Sequence, residues 1–124
     1  MQPGGHIVVA LSGEIDIVTA PEVRDLLAEA ASEAVTGITV DLGGVTFLDA
    51  AGLGVLAGAS GAARHLPGGF RLVAVPARVL RLLRATGLDR HLAAFPAVPG
   101  SRAQHERAAP LVAVAGLPAG GAGA

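Results

Sequence analysis

Asp16 and Asp49 are the two carboxylates placed where the chain turns into a helix, in "SGEIDIVTAP" and "VTFLDAAGLG". A carboxylate there can cap the helix by accepting from its free N–H groups, or it can face a ligand or a partner. Asp49 reads as a cap first. Chemistry at such a turn would also need a nucleophile or a base close by. The next two residues are Ala50 and Ala51, which have nothing to react with. No nucleophile–base pair and no carboxylate pair on a defined face can be assembled, so an enzyme is not expected. His6, His65, His91 and His105 lack ligand spacing, and the chain has no cysteine. Neither a metal site nor a disulfide is expected. "GLGVLAG" lacks the lysine of a phosphate loop, so Gly52 and Gly54 read as packing glycines and no cofactor is expected. Ser12, Thr19, Ser60 and Thr86 sit in ordinary capping or turn positions.

The elements that would hold these residues alternate between strand and helix. "HIVVAL" reads as a strand closed by Ser12-Gly13. Thr19 and Glu22 have capping-box spacing, with Pro21 in the first turn. Val23, Leu26, Leu27, Ala30 and Ala31 follow the spacing of an amphipathic helix. "ITVDL" is a second strand, and Asp49 starts a helix predicted to run to about His65. That helix is apolar on most sides and predicted to be largely buried. Pro67-Gly68-Gly69 is a turn, "FRLVAV" a third strand, and Pro76 and Gly87 bound a short helix. Beyond Arg90 the pattern weakens into a partial helix and a proline-rich loop. "LVAVA", Leu111 to Ala115, has strand-like composition. Strands alternating with helices predict an α/β domain.

With 124 residues, one domain is the limit, and 52% hydrophobic against 2% aromatic means a core of Ala, Val, Leu and Ile. No apolar run is long enough to span a bilayer, and no basic stretch precedes the first apolar one, so a cytoplasmic protein is expected. The charge is uneven. Residues 1–50 hold eight acids and one arginine, a net −7; residues 51–124 hold eight arginines against Asp89 and Glu106, a net +6. The arginines are not interleaved with aromatics, so direct nucleic-acid binding is not expected. Arg78, Arg81 and Arg84 recur every third residue and read as the wet face of a short helix, which could also meet an acidic partner.

"SGEIDIVTAPEVRDLL", "DLGGVTFLDAAGLGVLAGA" and "RLLRATGLDRHL" together resemble the STAS domain, in its anti-sigma factor antagonist group. The resemblance runs over residues 7–92. It implies an α/β fold with a mixed four- to five-stranded sheet backed by about four helices. The domain organisation that follows is a STAS domain over 1–110, an extra strand at 111–116 and a low-complexity tail at 117–124. Relatives carry a strand before the one matching "HIVVALSGEI", and Leu111 to Ala115 is a candidate for that sheet edge.

The resemblance also implies that the chain binds an anti-sigma factor of the protein-kinase type, so that a sigma factor is released. In the family the residue after the motif aspartate is a serine or threonine that the kinase phosphorylates, which ends the binding. The matching position is Ala50, which has no hydroxyl. A natural non-switching member and a replaced serine both fit "LDAAG". The implied partner surface is Asp16, Asp49, Ala50, Ala51, Gly52 and Leu53. Two other functions fit the pattern: a STAS subunit of a transporter or sensor complex, and a small-ligand or nucleotide-binding module. The oligomeric state is left open by the sequence.

Overall fold

The computed structural model describes residues 5–34 and 36–97, and the backbone of Leu111–Ala115. The chain runs β1 (His6–Ile15), α1 (Ala20–Glu33), β2 (Gly37–Leu48), α2 (Ala50–Ala62), β3 (Phe70–Val75) and α3 (Ala77–Thr86). A 3-10 turn (Leu88–Arg90), β4 (Ala93–Pro96) and β5 (Leu111–Ala115) follow. The sheet has the order β4-β3-β2-β1-β5.

Side chains alternate across a strand. Ile7, Val9 and Leu11 of β1 therefore share one face with Ile38, Val40 and Leu42 of β2 and Leu72 of β3, and all are buried. The helices deliver their apolar stripes to that same face: Val23, Leu27 and Ala30 from α1, Leu53 and Leu56 from α2, Val79 and Leu83 from α3. These residues form one core cluster. Topology explains why. The steps from β1 to β2, to β3 and to β4 all go the same way across the sheet. Right-handed crossovers taken in one direction put every helix on one side.

The α/β class and the helix-backed sheet follow the sequence pattern, with differences of detail. The sheet is parallel in every pairing rather than mixed. Each described connection between successive strands carries a helix, and a helical crossover returns the chain in the parallel sense. Three α-helices and one 3-10 turn back it. Ser12-Gly13 does not close β1. Gly13 takes a φ of 83°, and the register with β2 shifts there, so the pair is a bulge inside a longer strand. Thr19 makes no side-chain cap to α1. Its hydroxyl oxygen accepts from the Asp16 N–H at 3.0 Å instead, and the hydroxyl donates to the Glu14 carbonyl at 3.0 Å. "AAFP", read as part of a helix and loop, is strand β4. Gly87 ends α3 as expected, with a φ of 80° that suits glycine.

β5 lies along the outer side of β1, with Val8 opposite Leu111 and Leu11 opposite Ala115. The proline-rich stretch at 98–110 and the tail at 116–124 lie outside the described residues. α2 is not buried on most sides. Leu53 and Leu56 are buried, but Val55 is only partly so, and Gly54, Gly58, Gly61 and Ala62 are exposed.

On the opposite face of the sheet, Thr39 and Asp41 alternate with the core-facing residues of β2, and both are buried. Asp41 accepts from the Gly43 backbone N–H at 2.8 Å. Thr39 Oγ1 lies 2.7 Å from His6 Nε2. Burial, and then the nearby Arg71 guanidinium, lower the His6 pKa below its ordinary 6.5.

Two outcomes follow for stability. Leu56 is fully buried, so Leu56→Ala should cost about 2–5 kcal/mol in denaturant unfolding. His6 favours its neutral form in the folded state. Its contribution is complete above the ordinary value and is lost as pH falls through the lowered one. Melting temperature should therefore drop as pH falls below the ordinary histidine value of 6.5. His6→Gln should make that drop shallower in the same scan.

Candidate functional site

In a parallel sheet the loops leaving the C-terminal strand ends converge, and binding groups gather there. Here β1 runs into the loop Asp16–Thr19 and β2 runs into Asp49 and α2. The two are tied together, because the Asp49 N–H donates to the Ile15 carbonyl at 3.3 Å.

Asp49 is extended at φ −112° and ψ −167°, and its Oδ1 accepts from the N–H of Ala51 at 2.9 Å and of Gly52 at 3.2 Å. Its carbonyl accepts from the Leu53 N–H. This is a full N-cap, and it uses none of residue 50's side chain. Ala50 is exposed, so its methyl group stands free at the start of α2. Ala51 is half-buried. Gly52 and Leu53 are buried, so they shape the site from beneath and have no surface to offer. At Gly52 a Cβ would come within 3.0 Å of both the Ile15 and Leu48 side chains. The first turn of α2 sits this close to β1 and β2 only because residue 52 has no side chain.

Asp16 organises its own loop. Its Oδ1 accepts from the N–H of Val18 at 3.0 Å and of Thr19 at 3.1 Å, and the Asp16 N–H donates to Thr19 Oγ1 at 3.0 Å. An Asx turn of this kind fixes the backbone. Its effect is to hold Ile17 and Val18 outward, at 75% and 78% exposure.

These two residues were missed by sequence reasoning, as were Phe47 and Phe95. The four are the large hydrophobics that stand exposed among the described residues. Each lies at or just beyond the C-terminal end of a strand: Ile17 and Val18 after β1, Phe47 near the end of β2, Phe95 near the end of β4. The one available signal was "IV" in a loop otherwise made of turn formers. From Ile17 an apolar groove of about 550 Å³ runs between α1 and α2, past Ala20, Arg24, Ala51, Gly54 and Gly58. A Cβ at Gly54 or Gly58 would meet nothing, so the groove is open to a side chain from outside. Arg78 ties the start of α3 to β2 by donating to the Thr46 carbonyl at 3.2 Å.

Chemically, this surface can bind but has little to react with. Its two carboxylates are engaged by backbone N–H groups. Among the described residues no cluster of His, Cys, Asp or Glu could hold a metal ion. No helix among them is long and apolar enough to cross a membrane.

A sequence model of one protein family, described as "Mlab, STAS domain", matches residues 1–96. The chain belongs to the STAS domain family. The anti-sigma-B factor antagonist of Listeria monocytogenes is 35% identical over 84 residues, which cover 68% of this chain and 74% of that protein. A crystal structure of an anti-sigma factor antagonist from Mycobacterium paratuberculosis superposes with a TM-score of 0.62 at 30% identity, covering 80% of this chain and 86% of that one. The STAS domain of a SulP transporter from Vibrio cholerae gives a TM-score of 0.59 at 19% identity, covering 83% and 84%, a likeness of fold alone.

For this STAS domain the cap can be tested by itself. Asp49→Ala should cost about 0.5–2 kcal/mol in urea unfolding, and Asp49→Ser should recover most of it. Equal losses for both would mean that the carboxylate does more than cap.

Proposed function

We propose that this protein is an anti-sigma factor antagonist. It binds an anti-sigma factor of the protein-kinase type and so frees a sigma factor, and it is not switched off by phosphorylation at residue 50. The observation that carries the reading is the surface around Ala50. A fully capped helix start presents a bare methyl group, beside exposed Ile17 and Val18 and an open apolar groove. The names of its relatives support the same reading.

The physics of the missing switch is simple. A phosphate at a helix N-terminus adds up to about two negative charges and three acceptor oxygens. The helix dipole tolerates it there, so the fold survives. An apolar docking surface does not tolerate it, because the charge would have to shed water in the complex. Alanine at residue 50 cannot acquire that charge. The hydroxyl of the neighbouring loop is poorly placed to replace it: Thr19 is half-buried and hydrogen-bonded within its loop. The partner contacts fall to Ala50 and Ala51 at the surface, with Asp16 and Asp49 holding the two loops and Gly52 and Leu53 supporting them.

The lack of a hydroxyl also suits a STAS subunit held permanently in a transporter or sensor complex, and this is the second reading. A small-ligand or nucleotide module ranks behind both, since the sequence supplies no phosphate loop.

Incubation with a kinase-type anti-sigma factor and ATP should leave the protein unmodified by mass spectrometry and the complex intact by titration. Ala50→Ser should take up phosphate at residue 50 and then lose binding. Ala50→Asp should weaken binding less than a phosphate does, having less charge and fewer oxygens. Phosphate on Ser12, Thr19 or Ser60 of the unaltered protein, with loss of binding, would show that the switch had moved. Failure of all three proteins to bind the anti-sigma factor, with recovery of a membrane permease from cell extract, would establish the second reading.

A further inference from the structure

The unequal distribution of charge along the sequence becomes a separation in space. α1 rests over β1 and β5 at one edge of the sheet, and α3 over β4 at the other. Glu22, Glu29 and Glu33 are spaced by seven and four residues, so they form one stripe along α1. Arg24 and Ala28, four apart, line the groove toward α2. The acidic stripe is therefore on the flank turned away from α2, at the β5 side of the molecule. All three glutamates are exposed. α3 carries Arg78, Arg81 and Arg84, exposed and with no acid among them. Among the described residues the ion pair formed is Arg24 with Asp25 at 3.8 Å, and none of the α3 arginines pairs with a carboxylate.

The sheet edges coincide with these flanks. β5 bounds the sheet under the acidic helix and β4 bounds it near the basic one, and all strands point the same way. A second copy set beside the first, turned by roughly 80–100° to continue the sheet twist, would bring its Arg81 and Arg84 against the α1 glutamates of the first, with β4 beside β5. Arg78 is turned toward the Thr46 carbonyl of β2. We infer that this surface binds another copy of the same chain head to tail, through the acidic flank of α1 and the basic face of α3. The occupant is selected by charge complementarity. β4 has four residues and ends in Pro96, which has no N–H, so backbone pairing across the joint is short. Exposed ion pairs contribute little singly, so the association is weak and sensitive to salt. Such a contact is heterologous, and each added copy leaves one flank of each sign free. It does not stop at a dimer. The joint is lateral, so the surface around Ala50 stays open in every copy. This inference does not depend on the function proposed above.

Sedimentation of the full chain tests it. At low ionic strength the average mass should rise with concentration past two copies. At about 1 M salt, where the screening length is about 3 Å, it should return to that of one chain. Glu29→Arg with Glu33→Arg, and separately Arg81→Glu with Arg84→Glu, should each abolish the rise. An equimolar mixture of the two double variants should restore it, because each again meets opposite charge. The restoration also shows that both variants are folded. A single-chain mass at every salt concentration, a mass that stops at two copies, or a mixture that stays at one chain would each overturn the proposal.

Discussion

The handedness of the strand–helix–strand crossover is the constraint on which the rest of this structure depends. Three crossovers taken in the same direction leave the helices no choice of face. One side of the sheet receives every apolar helical stripe, and a single core forms there. The helical crossover itself makes the strands parallel, and parallel strands deliver all their outgoing loops to one end. The place where Asp16 and Asp49 meet is thus a result of chain direction before it is a result of any particular side chain.

At that end each carboxylate commits its Oδ1 to backbone N–H groups. Asp49 starts α2, and Asp16 shapes the loop before α1. What they leave to the outside is apolar: two aliphatic side chains from one loop, a methyl group at the helix start, and a groove kept open by Gly54 and Gly58. A surface of this kind favours a protein partner over a small polar ligand. Desolvating its apolar part costs little, and one oxygen of each carboxylate is already satisfied by backbone N–H groups. Gly52 makes the arrangement possible, since any side chain there would push α2 away from the strand ends.

Much of this was legible in the sequence. α1 and α3 could be read because their apolar spacing and the residues bounding them agree. The Asp49 cap could be read because an aspartate before an apolar run has one common use. Ser12-Gly13 misled because the residues that end strands also form bulges within them, and only pairing with β2 tells the two apart. β4 was hidden because four residues beside prolines carry no period. The exposure of Phe47 and Phe95 could not be read at all, and that of Ile17 and Val18 only from an "IV" set between turn formers. Apolar side chains predict burial, and only the tertiary arrangement shows which of them the core leaves out. Thr19 and Glu22 had the spacing of a capping box, but the Thr19 hydroxyl oxygen accepts from the Asp16 N–H of its own loop and not from the helix.

The strand order also bears on how the chain is made. β2, β3 and β4 each emerge next to the strand that has just been completed, so the sheet can extend one unit at a time as synthesis proceeds. β5 breaks that order. It pairs with β1, with Leu111 opposite Val8, at the far side of the sheet from β4. At a translation rate of about 5–20 residues per second the outer edge of the first strand waits roughly 5–20 s for its last neighbour. Throughout that interval its backbone N–H and C=O groups stay open to other nascent chains. Within this sheet the earliest strand is the last to be closed, and a chaperone or a slow translation step would matter most there.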